Sequence, residues 1–428
     1  MMIASAKSHK WVFVFFLLYI TMHWFNGKIR VRKEFSIKKH LRHQNSRDLV
    51  SADFVPVVVG TNDVLALSAF ESGSNIDVVS LLDMSAPVRT LMCVFWLDGV
   101  PDLTTQITAS LRLCPESHGR RFSAAFYSCK MPNSRVPHAV SLVTDDCKKP
   151  TKALPVIYNS KIERTFTVCV SPLHSKFSKA YQLVEMVEVS LALGADHFFF
   201  YNFSTDWNVD ALLKHYESRG LVSIIQWPLP MMRNGSDSGG SREIHYYGQL
   251  AMLNDCLNRN RGISRYVVFQ DLDELIIPKF HRSWYHLIES LPRNVSSYMF
   301  RSSFFRLDWP YVISDYNLTE IAKSYKSYAF LKLLREDKVY GRAVRSKYIV
   351  DPLQVEVVGI HNVWKFKRGG RPYYVPPNVA LVHHYRVDKS DAKRIRDDSI
   401  LNFRIALQNI KKTWQWLRDI PLGPNTST

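Results

Sequence analysis

Two features are missing from this 428-residue sequence, and each absence narrows what the protein can do. Its six cysteines include no CxxC pair, which argues against a zinc ribbon and favours disulfide bonds, although the spacing leaves the pairing open. No basic and aromatic residues follow the pattern of a nucleic-acid-binding module, so the formal net charge of +18 does not predict nucleic acid as a partner. With 46% hydrophobic and 22% charged residues, the chain has the composition of a folded globule.

An uncharged apolar stretch runs from Trp11 to Phe25 near the N-terminus. Fifteen helical residues span roughly 23 Å, which is short for a bilayer core of about 30 Å and closer to the thinner early-secretory membranes. The residues that follow offer no small-x-small cleavage site, which favours an uncleaved anchor over a signal peptide. We therefore predict a cytoplasmic tail at 1–10 and a transmembrane signal anchor at 11–25.

Two signals disagree about which side of the membrane holds the rest of the chain. Between Lys28 and Arg47 stand eight Lys or Arg residues and one acid, and the positive-inside rule would keep this segment cytosolic. All six cysteines and five Asn-x-Ser/Thr sequons follow the anchor, and they matter in a lumen. We predict a single-pass type II protein of the Golgi membrane whose folded part lies in the lumen. The predicted glycosylation sites are Asn202, Asn234, Asn294, Asn317 and Asn425.

Composition and periodicity divide the part after the anchor into three. Residues 26–87 show no sustained period and are predicted to be a stem. Residues 88–160 carry short apolar runs separated by Pro, Gly and Asp, which predicts a small β-rich region. Strands alternate with helices over 161–420, which predicts an α/β fold with a mainly parallel sheet. The predicted strands are Thr165–Val170, His197–Tyr201, Leu221–Gln226 and Tyr266–Gln270, and the helices begin near Ser178 or span Val209–Ser218 and Tyr247–Asn258.

The last of these strands leads directly into the acidic cluster Asp271-Leu272-Asp273-Glu274. In open α/β sheets, ligands bind beyond the carboxyl ends of the strands. Aspartates at alternate positions of an extended segment point to the same side, where they can hold a hard divalent cation that also grips a diphosphate. The alternatives are a solvated turn, or the aspartyl nucleophile of a hydrolase or phosphotransferase, whose usual pattern has Thr or Val where Glu274 stands.

These residues and their neighbours resemble the core motif of glycosyltransferase family 92. The resemblance covers roughly Thr165 to Arg386. It implies a GT-A fold and a metal-dependent, inverting transfer of a hexose, often galactose, from a UDP-sugar to a glycan acceptor, with manganese as the cofactor. The matching residues are Glu185, Leu193-Gly194-Ala195, Gly248, Gln249, Asn254-Asp255-Cys256-Leu257, the strand and acidic cluster up to Pro278, and His384-Tyr385-Arg386.

Carried onto this sequence, the resemblance implies a role for five residues. Asp271 and Asp273 would contact the metal and the donor diphosphate, with Glu274 beside them in the nucleotide-sugar site. His384 would complete the metal shell as a neutral imidazole ligand. Arg386 would pair with phosphate through its guanidinium fork, and Lys389 is a nearby basic residue that could do the same.

Two of these assignments leave alternatives open. His361 and His383 stand near His384 and compete for the same role. An inverting transfer also needs a carboxylate to remove the acceptor proton, and Asp308, downstream of the metal motif in an aromatic context, is the predicted catalytic base. Glu336 and Asp337 are rivals in a charged stretch that is typical of a surface loop.

Two other functions also fit the sequence. One is a catalytically inactive carbohydrate-binding or scaffold protein with a GT-A fold. The other is a cytosol-facing membrane protein whose basic stretch binds anionic lipid. Metal-dependent hydrolysis of a UDP-sugar and glycosidase-sensitive mass would separate these alternatives from a luminal transferase.

Overall fold

The computed structural model describes residues 54–57, 63–87, 90–132, 135–144, 150, 152–232, 243–313, 315–389 and 391–424. The predicted tail and anchor lie outside these residues, as do Cys147 and the sequons at Asn234 and Asn425. No helix in the described ranges combines the length and the apolar character needed to cross a bilayer.

Among the described residues ten strands come first, and helices and further strands follow from residue 164 onward. The strands are β1 (Val55–Pro56), β2 (Val64–Ser72), β3 (Asn75–Asp83), β4 (Leu91–Leu97), β5 (Val100–Pro101), β6 (Ile107–Thr108), β7 (Ser110–Leu113), β8 (Phe122–Lys130), β9 (Ala139–Thr144), β10 (Leu154–Ile157), β11 (Arg164–Cys169), β12 (His197–Asn202), β13 (Val222–Gln226), β14 (Ser264–Phe269), β15 (Glu274–Pro278), β16 (Ser297–Phe300), β17 (Ser302–Arg306), β18 (Leu334–Glu336), β19 (Lys347–Val350), β20 (Val355–Val358), β21 (Val363–Phe366), β22 (Pro372–Tyr374), β23 (Ala380–Arg386) and β24 (Arg394–Arg396). The α-helices are α1 (Ala180–Leu193), α2 (Trp207–Ser218), α3 (Gln249–Asn260), α4 (Trp284–Glu289), α5 (Tyr316–Ser324), α6 (Tyr328–Leu331) and α7 (Ile405–Trp416).

The first ten strands form one sheet with the order β5-β4-β9-β10-β2-β3-β8-β7, to which β1 adds at β2 and β6 adds at β4. Strands β2 and β3 fall within residues 26–87, which the sequence predicted to be a stem, and that prediction is wrong for them. Both faces of β2 are buried: Leu65 and Leu67 lie in one core and Val64 and Ala66 in another. A strand covered on both faces lacks the alternation of polar and apolar residues that would have revealed it.

The central sheet of the second half has the order β13-β12-β11-β14-β19-β16-β22. Strands β13, β12, β11 and β14 are parallel, while β19 runs antiparallel to β14. This confirms a mixed α/β fold, and each predicted strand and helix is present within two residues of its predicted bounds. Residues of α1, α2 and α7 share a core on one face of this sheet, and residues of α3 share a core with the ten-stranded sheet on the other.

A smaller sheet, β15-β23-β17-β18-β24, begins where the acidic cluster ends. Its first two strands pair antiparallel, and their register sets Glu274 opposite His384. A late histidine is thereby brought beside the acidic cluster by backbone pairing alone.

Two disulfides confirm the expectation from the cysteine count. Cys93–Cys129 joins β4 to β8, and Cys169–Cys256 joins the end of β11 to α3. Cys114 is buried as a free thiol. The second bond ties the first parallel strand to the helix that precedes the strand of the acidic cluster.

Candidate functional site

The acidic cluster lies in a turn between β14, which ends at Phe269, and β15, which begins at Glu274. The backbone N–H of Glu274 donates to the carbonyl of Asp271 over 3.2 Å and closes this turn. The expectation of an extended Asp-x-Asp segment is therefore wrong, and the two aspartate side chains contact different groups.

Asp271 is fixed from three elements of the fold. One of its carboxylate oxygens lies 2.7 Å from Nζ of Lys347 on β19, and the other accepts a hydrogen bond from the hydroxyl of Ser171, just after β11. The side-chain amide of Gln249, the first residue of α3, donates to that hydroxyl over 2.6 Å. Because the Asp271 side chain is still 28% exposed, it remains reachable by a ligand.

Asp273 faces His384 instead. Its Oδ2 lies 3.3 Å from Nε2 of the histidine, while Nδ1 of the same ring lies 3.0 Å from Oε1 of Glu274. Burial by itself would lower the pKa of His384, but the charge of Glu274 and the contact with Asp273 raise it to about 9. The Asp273 side chain is 35% exposed, so the histidine and this aspartate together border solvent.

Glu274 does not belong to the surface that a donor would touch. Its side chain is 2% exposed and lies between His384 and Nζ of Lys347, 2.8 Å away. Burial would raise its pKa, but Lys347 and His384 hold it at about 2. The structure therefore places Glu274 behind the site, as a carboxylate that orients the histidine, and not in contact with a nucleotide-sugar as the sequence predicted.

The competing histidines have other surroundings. His383 points to the opposite face of β23, is fully buried and stacks on Phe305 at 3.9 Å between ring centroids; burial lowers its pKa to about 3. His361 has its Nδ1 3.3 Å from the carbonyl of Ser346, and burial lowers its pKa too. Of the three, His384 alone contacts the acidic turn through a carboxylate of that turn.

The donor atoms at Asp273 and His384 fit a divalent cation that displaces the proton which the raised pKa places on the imidazole. Neighbouring ligands of an octahedral ion with bonds of about 2.1 Å lie about 3 Å apart, close to the 3.3 Å between Oδ2 and Nε2. Glu274 at Nδ1 supplies the outer carboxylate that commonly orients a metal-binding imidazole. Within the described ranges, no group of three or more His, Cys, Asp or Glu residues could hold a metal ion. Magnesium-like ions are commonly held by one or two side chains, with substrate phosphates and water as the other ligands.

Asp308 is poorly placed to act as the predicted base. Arg306 donates to both of its carboxylate oxygens, over 2.8 Å and 2.7 Å, and these hydrogen bonds lower the pKa of Asp308. Of its rivals, Glu336 lies buried on β18, 3.2 Å from Arg306, and not in a surface loop, whereas Asp337 is exposed. Because one guanidinium holds both oxygens of Asp308 and lowers its pKa, this carboxylate has a structural role.

A cavity of about 300 Å³ opens beside Asp273 and is bordered by Arg386, the residue predicted to pair with phosphate. Glu185 of α1 also lines it, although the residue as a whole is only 7% exposed. Its Oε1 accepts a hydrogen bond of 2.9 Å from the backbone N–H of Ala329, and burial raises its pKa to about 8. The sequence identified Glu185 only through its place in the family motif, because a glutamate inside a helix gives no sign of its depth.

A group of aromatic side chains lies on the other side of the turn, and no pattern in the sequence predicted it. The Tyr247 ring stacks on His174 with 4.0 Å between ring centroids, and its neighbour Tyr246 borders solvent. Both tyrosines have positive φ, 37° for Tyr246 and 54° for Tyr247, a costly conformation that clusters at ligand sites. Burial and the charges of Asp271 and Asp273 raise the pKa of Tyr246 to about 12, which places its ring in the field of the acidic turn.

The fold and site define an α/β protein with an aspartate–histidine pair, fit for a divalent cation, at the carboxyl edge of a parallel sheet. The sequence profile named Glycosyltransferase family 92 matches residues 164–419. The chain therefore belongs to glycosyltransferase family 92, and the match contains every element that builds the acidic turn.

Individual relatives match over shorter segments. The beta-1,4-galactosyltransferase galt-1 of Caenorhabditis elegans is 27% identical over 176 residues, which is 38% of this chain and 40% of that protein. The glycosyltransferase family 92 protein F59C6.8 of the same organism is 24% identical over 236 residues, which is 53% of this chain and 42% of that protein. The chain thus covers well under half the length of each of these curated relatives.

Solved structures resemble the chain only weakly. Glucosyl-3-phosphoglycerate synthase from Mycobacterium tuberculosis, in complex with Mn²⁺, UDP and glucosyl-3-phosphoglycerate, is 12% identical with a TM-score of 0.25, over 60% of this chain and 81% of that one. A likeness at this level carries no weight for the chemistry of the site.

Proposed function

We propose that this protein is a metal-dependent, inverting glycosyltransferase that transfers a hexose, galactose in the first instance, from a UDP-sugar to a glycan acceptor. The observation that carries the proposal is the pair of Asp273 and His384, 3.3 Å apart and oriented from behind by Glu274. Family membership over residues 164–419 supports the reaction class. Galactose is proposed because a relative matched over 38% of this chain is named a beta-1,4-galactosyltransferase.

Each part of the site has a task in this reaction. Asp273 and His384 would hold Mn²⁺, which when bound offsets the charge that develops on a departing diphosphate. Asp271, 2.7 Å from Nζ of Lys347, lies on the same turn and would orient the donor. Arg386, at the edge of the cavity, supplies a fork of N–H donors for phosphate.

The aromatic group offers a surface for the nucleoside. Tyr247 and His174 stack face to face, and flat aromatic rings favour offset stacking with another ring such as uracil. The backbone of Tyr247 is fixed by the indole N–H of Trp227, which donates to its carbonyl over 2.9 Å. We therefore place the uracil at His174 and Tyr247 and the diphosphate at the acidic turn.

The cellular setting is part of the proposal. A Golgi enzyme anchored through residues 11–25 would have its disulfides and its exposed sequons at Asn294 and Asn317 in the lumen. A lumen also supplies glycan acceptors.

The test is donor turnover by the full chain in detergent. UDP release and glycan product are measured with UDP-galactose, UDP-glucose and UDP-N-acetyl sugars, with Mn²⁺ and with EDTA. We expect turnover with one donor, its loss in EDTA, and a loss of at least about 100-fold in Asp273→Asn, since one electrostatic contact in a transition state is worth about that much. Asp98→Asn, at an exposed position between β4 and β5 and outside the residues that match the family, is the matched control and should keep full activity.

Two results would overturn the proposal. Turnover that persists in EDTA and in Asp273→Asn would remove the metal pair from the mechanism. UDP binding without turnover on a broad array of glycan acceptors would identify the chain as a carbohydrate-binding or scaffold protein with this fold.

A further inference from the structure

The cavity beside Asp273 has the size and lining of a sugar site. Its volume of about 300 Å³ lies at the lower end of the range of about 300–1,000 Å³ for ligand pockets, which suits a single sugar residue. Three tyrosines, Tyr181, Tyr328 and Tyr385, line it with Glu185. Aromatic walls with a few polar groups are typical of pockets that orient a sugar ring.

Glu185 is the carboxylate in this lining that has no charged partner. Its Oε1 accepts from the N–H of Ala329, and among the described residues no Lys, Arg or His side chain forms an ion pair with it. Asp273, the other carboxylate at this cavity, is engaged with His384. One oxygen of Glu185 therefore orients the group, which leaves the second to meet a ligand.

We propose that this cavity receives the terminal sugar of the acceptor glycan and that the carboxylate of Glu185 removes the proton from its attacking hydroxyl. The inference rests on the proposed function, since it names the acceptor site and the base for that transfer. It replaces Asp308, whose two oxygens are both held by Arg306.

The step balances in atoms and charge. The acceptor oxygen forms a bond to the anomeric carbon from one face, and the bond from that carbon to the diphosphate oxygen breaks on the other, its electron pair leaving with UDP. The hydroxyl proton moves to Glu185 and then to water. The depth of Glu185 supports this role, because burial brings the pKa of this carboxyl to about 8, near the working range of a general base.

The groups that face Glu185 favour this role. Tyr181 lies on the same helix, Tyr328 on α6 and Tyr385 on β23, and burial raises the pKa of Tyr181 and Tyr385, so both phenols stay neutral. Two cations also line the cavity, Arg386 on β23 and Lys179 just before α1. Among the described residues neither of these cations forms an ion pair with Glu185, so no contacting charge holds its carboxylate ionised.

The test compares Glu185→Gln with Glu188→Gln in the full chain. Glutamine keeps an oxygen for the N–H of Ala329, so a structural role survives in the first variant. Glu188 lies one turn further along α1, buried, and accepts from Tyr216 at 2.8 Å and Thr413 at 2.9 Å outside the cavity. It controls for any disturbance of the helix interior. Transfer to acceptor, donor hydrolysis and UDP affinity are measured, with kcat expressed per molecule that binds UDP.

We expect Glu185→Gln to lose about 10²–10⁴ in kcat for transfer, the usual contribution of a general base, with UDP affinity unchanged, and Glu188→Gln to retain kcat within threefold. Glu185→Ala with azide should form a glycosyl azide, because an anionic nucleophile needs no base. Transfer by Glu185→Gln within threefold of the parent, or a loss in Asp308→Asn instead, would overturn this inference and leave the proposed function intact. Absence of turnover by the parent chain with every donor would overturn both.

Discussion

Lys347→Met tests whether the acidic turn depends on a buried cation. Nζ of Lys347 lies 2.7 Å from Asp271 and 2.8 Å from Glu274, and its side chain is 3% exposed. Burial would lower the pKa of Lys347, but the two carboxylates raise it, so the ammonium is charged at pH 7. Methionine fills a similar volume without the charge, so Asp271 loses its cation and Glu274 keeps only the imidazole of His384.

The magnitude follows from the exposure of each partner. Removing one member of a buried ion pair costs about 3–5 kcal/mol, because the remaining charge is left in a medium of low polarity. Glu274, 2% exposed, should bear most of this loss, and Asp271, 28% exposed, should recover part of its hydration. Against a typical stability of about 5–15 kcal/mol, the loss would be a large fraction of the whole.

The assay is urea unfolding at pH 7 of a chain that begins at residue 26, followed by near-ultraviolet circular dichroism. We expect Lys347→Met to lose about 3–5 kcal/mol and Lys347→Met with Glu274→Gln to recover at least about 1 kcal/mol, since the double variant buries one charge fewer. Lys323→Met, which removes an exposed ion pair with Glu320, should leave the curve unchanged. A loss below about 1 kcal/mol in Lys347→Met would refute the reasoning that Glu274 depends on this lysine for its charge.

Two further predictions concern the bonds and glycans of the folded chain. Replacing Cys169 and Cys256 by alanine should lower the unfolding free energy by up to about 4–5 kcal/mol, because the bond closes a loop with a sequence separation of 87 residues; denaturant titration of the purified variant measures it. Asn294 and Asn317 are exposed and should carry glycans in a secretory host, whereas Asn202, half-buried with its amide donating to Asp210, should not; glycosidase-sensitive mass of each Asn→Gln variant measures this.

Each of these has its own control. Replacing Cys93 and Cys129, separated by 36 residues, should cost slightly less than the longer bond in the same chain-entropy account. An unchanged midpoint after loss of the Cys169–Cys256 bond would contradict that account. If neither Asn294 nor Asn317 carried a glycan, the result would contradict a luminal location.

Much of the α/β half was predictable because its signals are local. Strands such as His197–Asn202 are short apolar runs, and the helix Gln249–Asn260 repeats apolar residues at helical spacing. The acidic cluster could be placed because a strand must end before charged residues can reach solvent. The local pattern predicts the strand and the residue at which it ends, and therefore the position of Asp271 and Asp273.

The contacts that define the site were out of reach, because they join residues far apart in sequence. Lys347 contacts Asp271 although 76 residues separate them, and a lysine at the start of a strand is ordinarily exposed to solvent. The pairing of Glu274 with His384 depends on the register of two strands, which only the folded sheet sets. The strand β2 was missed because its neighbours bury both of its faces. Roles that depend on depth, such as those of Glu274 and Glu185, needed the structure.

The ten-stranded sheet and the α/β half share one core, and this leads to a last prediction about fragments. Leu67 and Phe70 of β2 lie in the same buried cluster as Leu250 and Leu253 of α3. A chain that begins at residue 160 would expose this face of α3 to water, and exposed apolar area costs roughly 25 cal/mol per Å². We expect such a fragment to be insoluble, whereas a chain that begins at residue 54 should fold.

A polar contact at the same boundary allows a finer test. The hydroxyl of Ser68 donates to Asp255 over 2.5 Å, and the same fully buried carboxylate accepts from Tyr201 and Arg259, both at 2.6 Å. Ser68→Ala removes one of these donors, and loss of a buried hydrogen bond to a charged group costs about 1.5–3 kcal/mol. If the two halves unfold together, this variant lowers a single transition seen both by tryptophan fluorescence and by loss of UDP binding. The opposite outcome would be two separate transitions, with UDP binding lost in the transition that Ser68→Ala does not change. That outcome would mean that the α/β half is stable without the ten-stranded sheet. The fragment that begins at residue 160 should then fold.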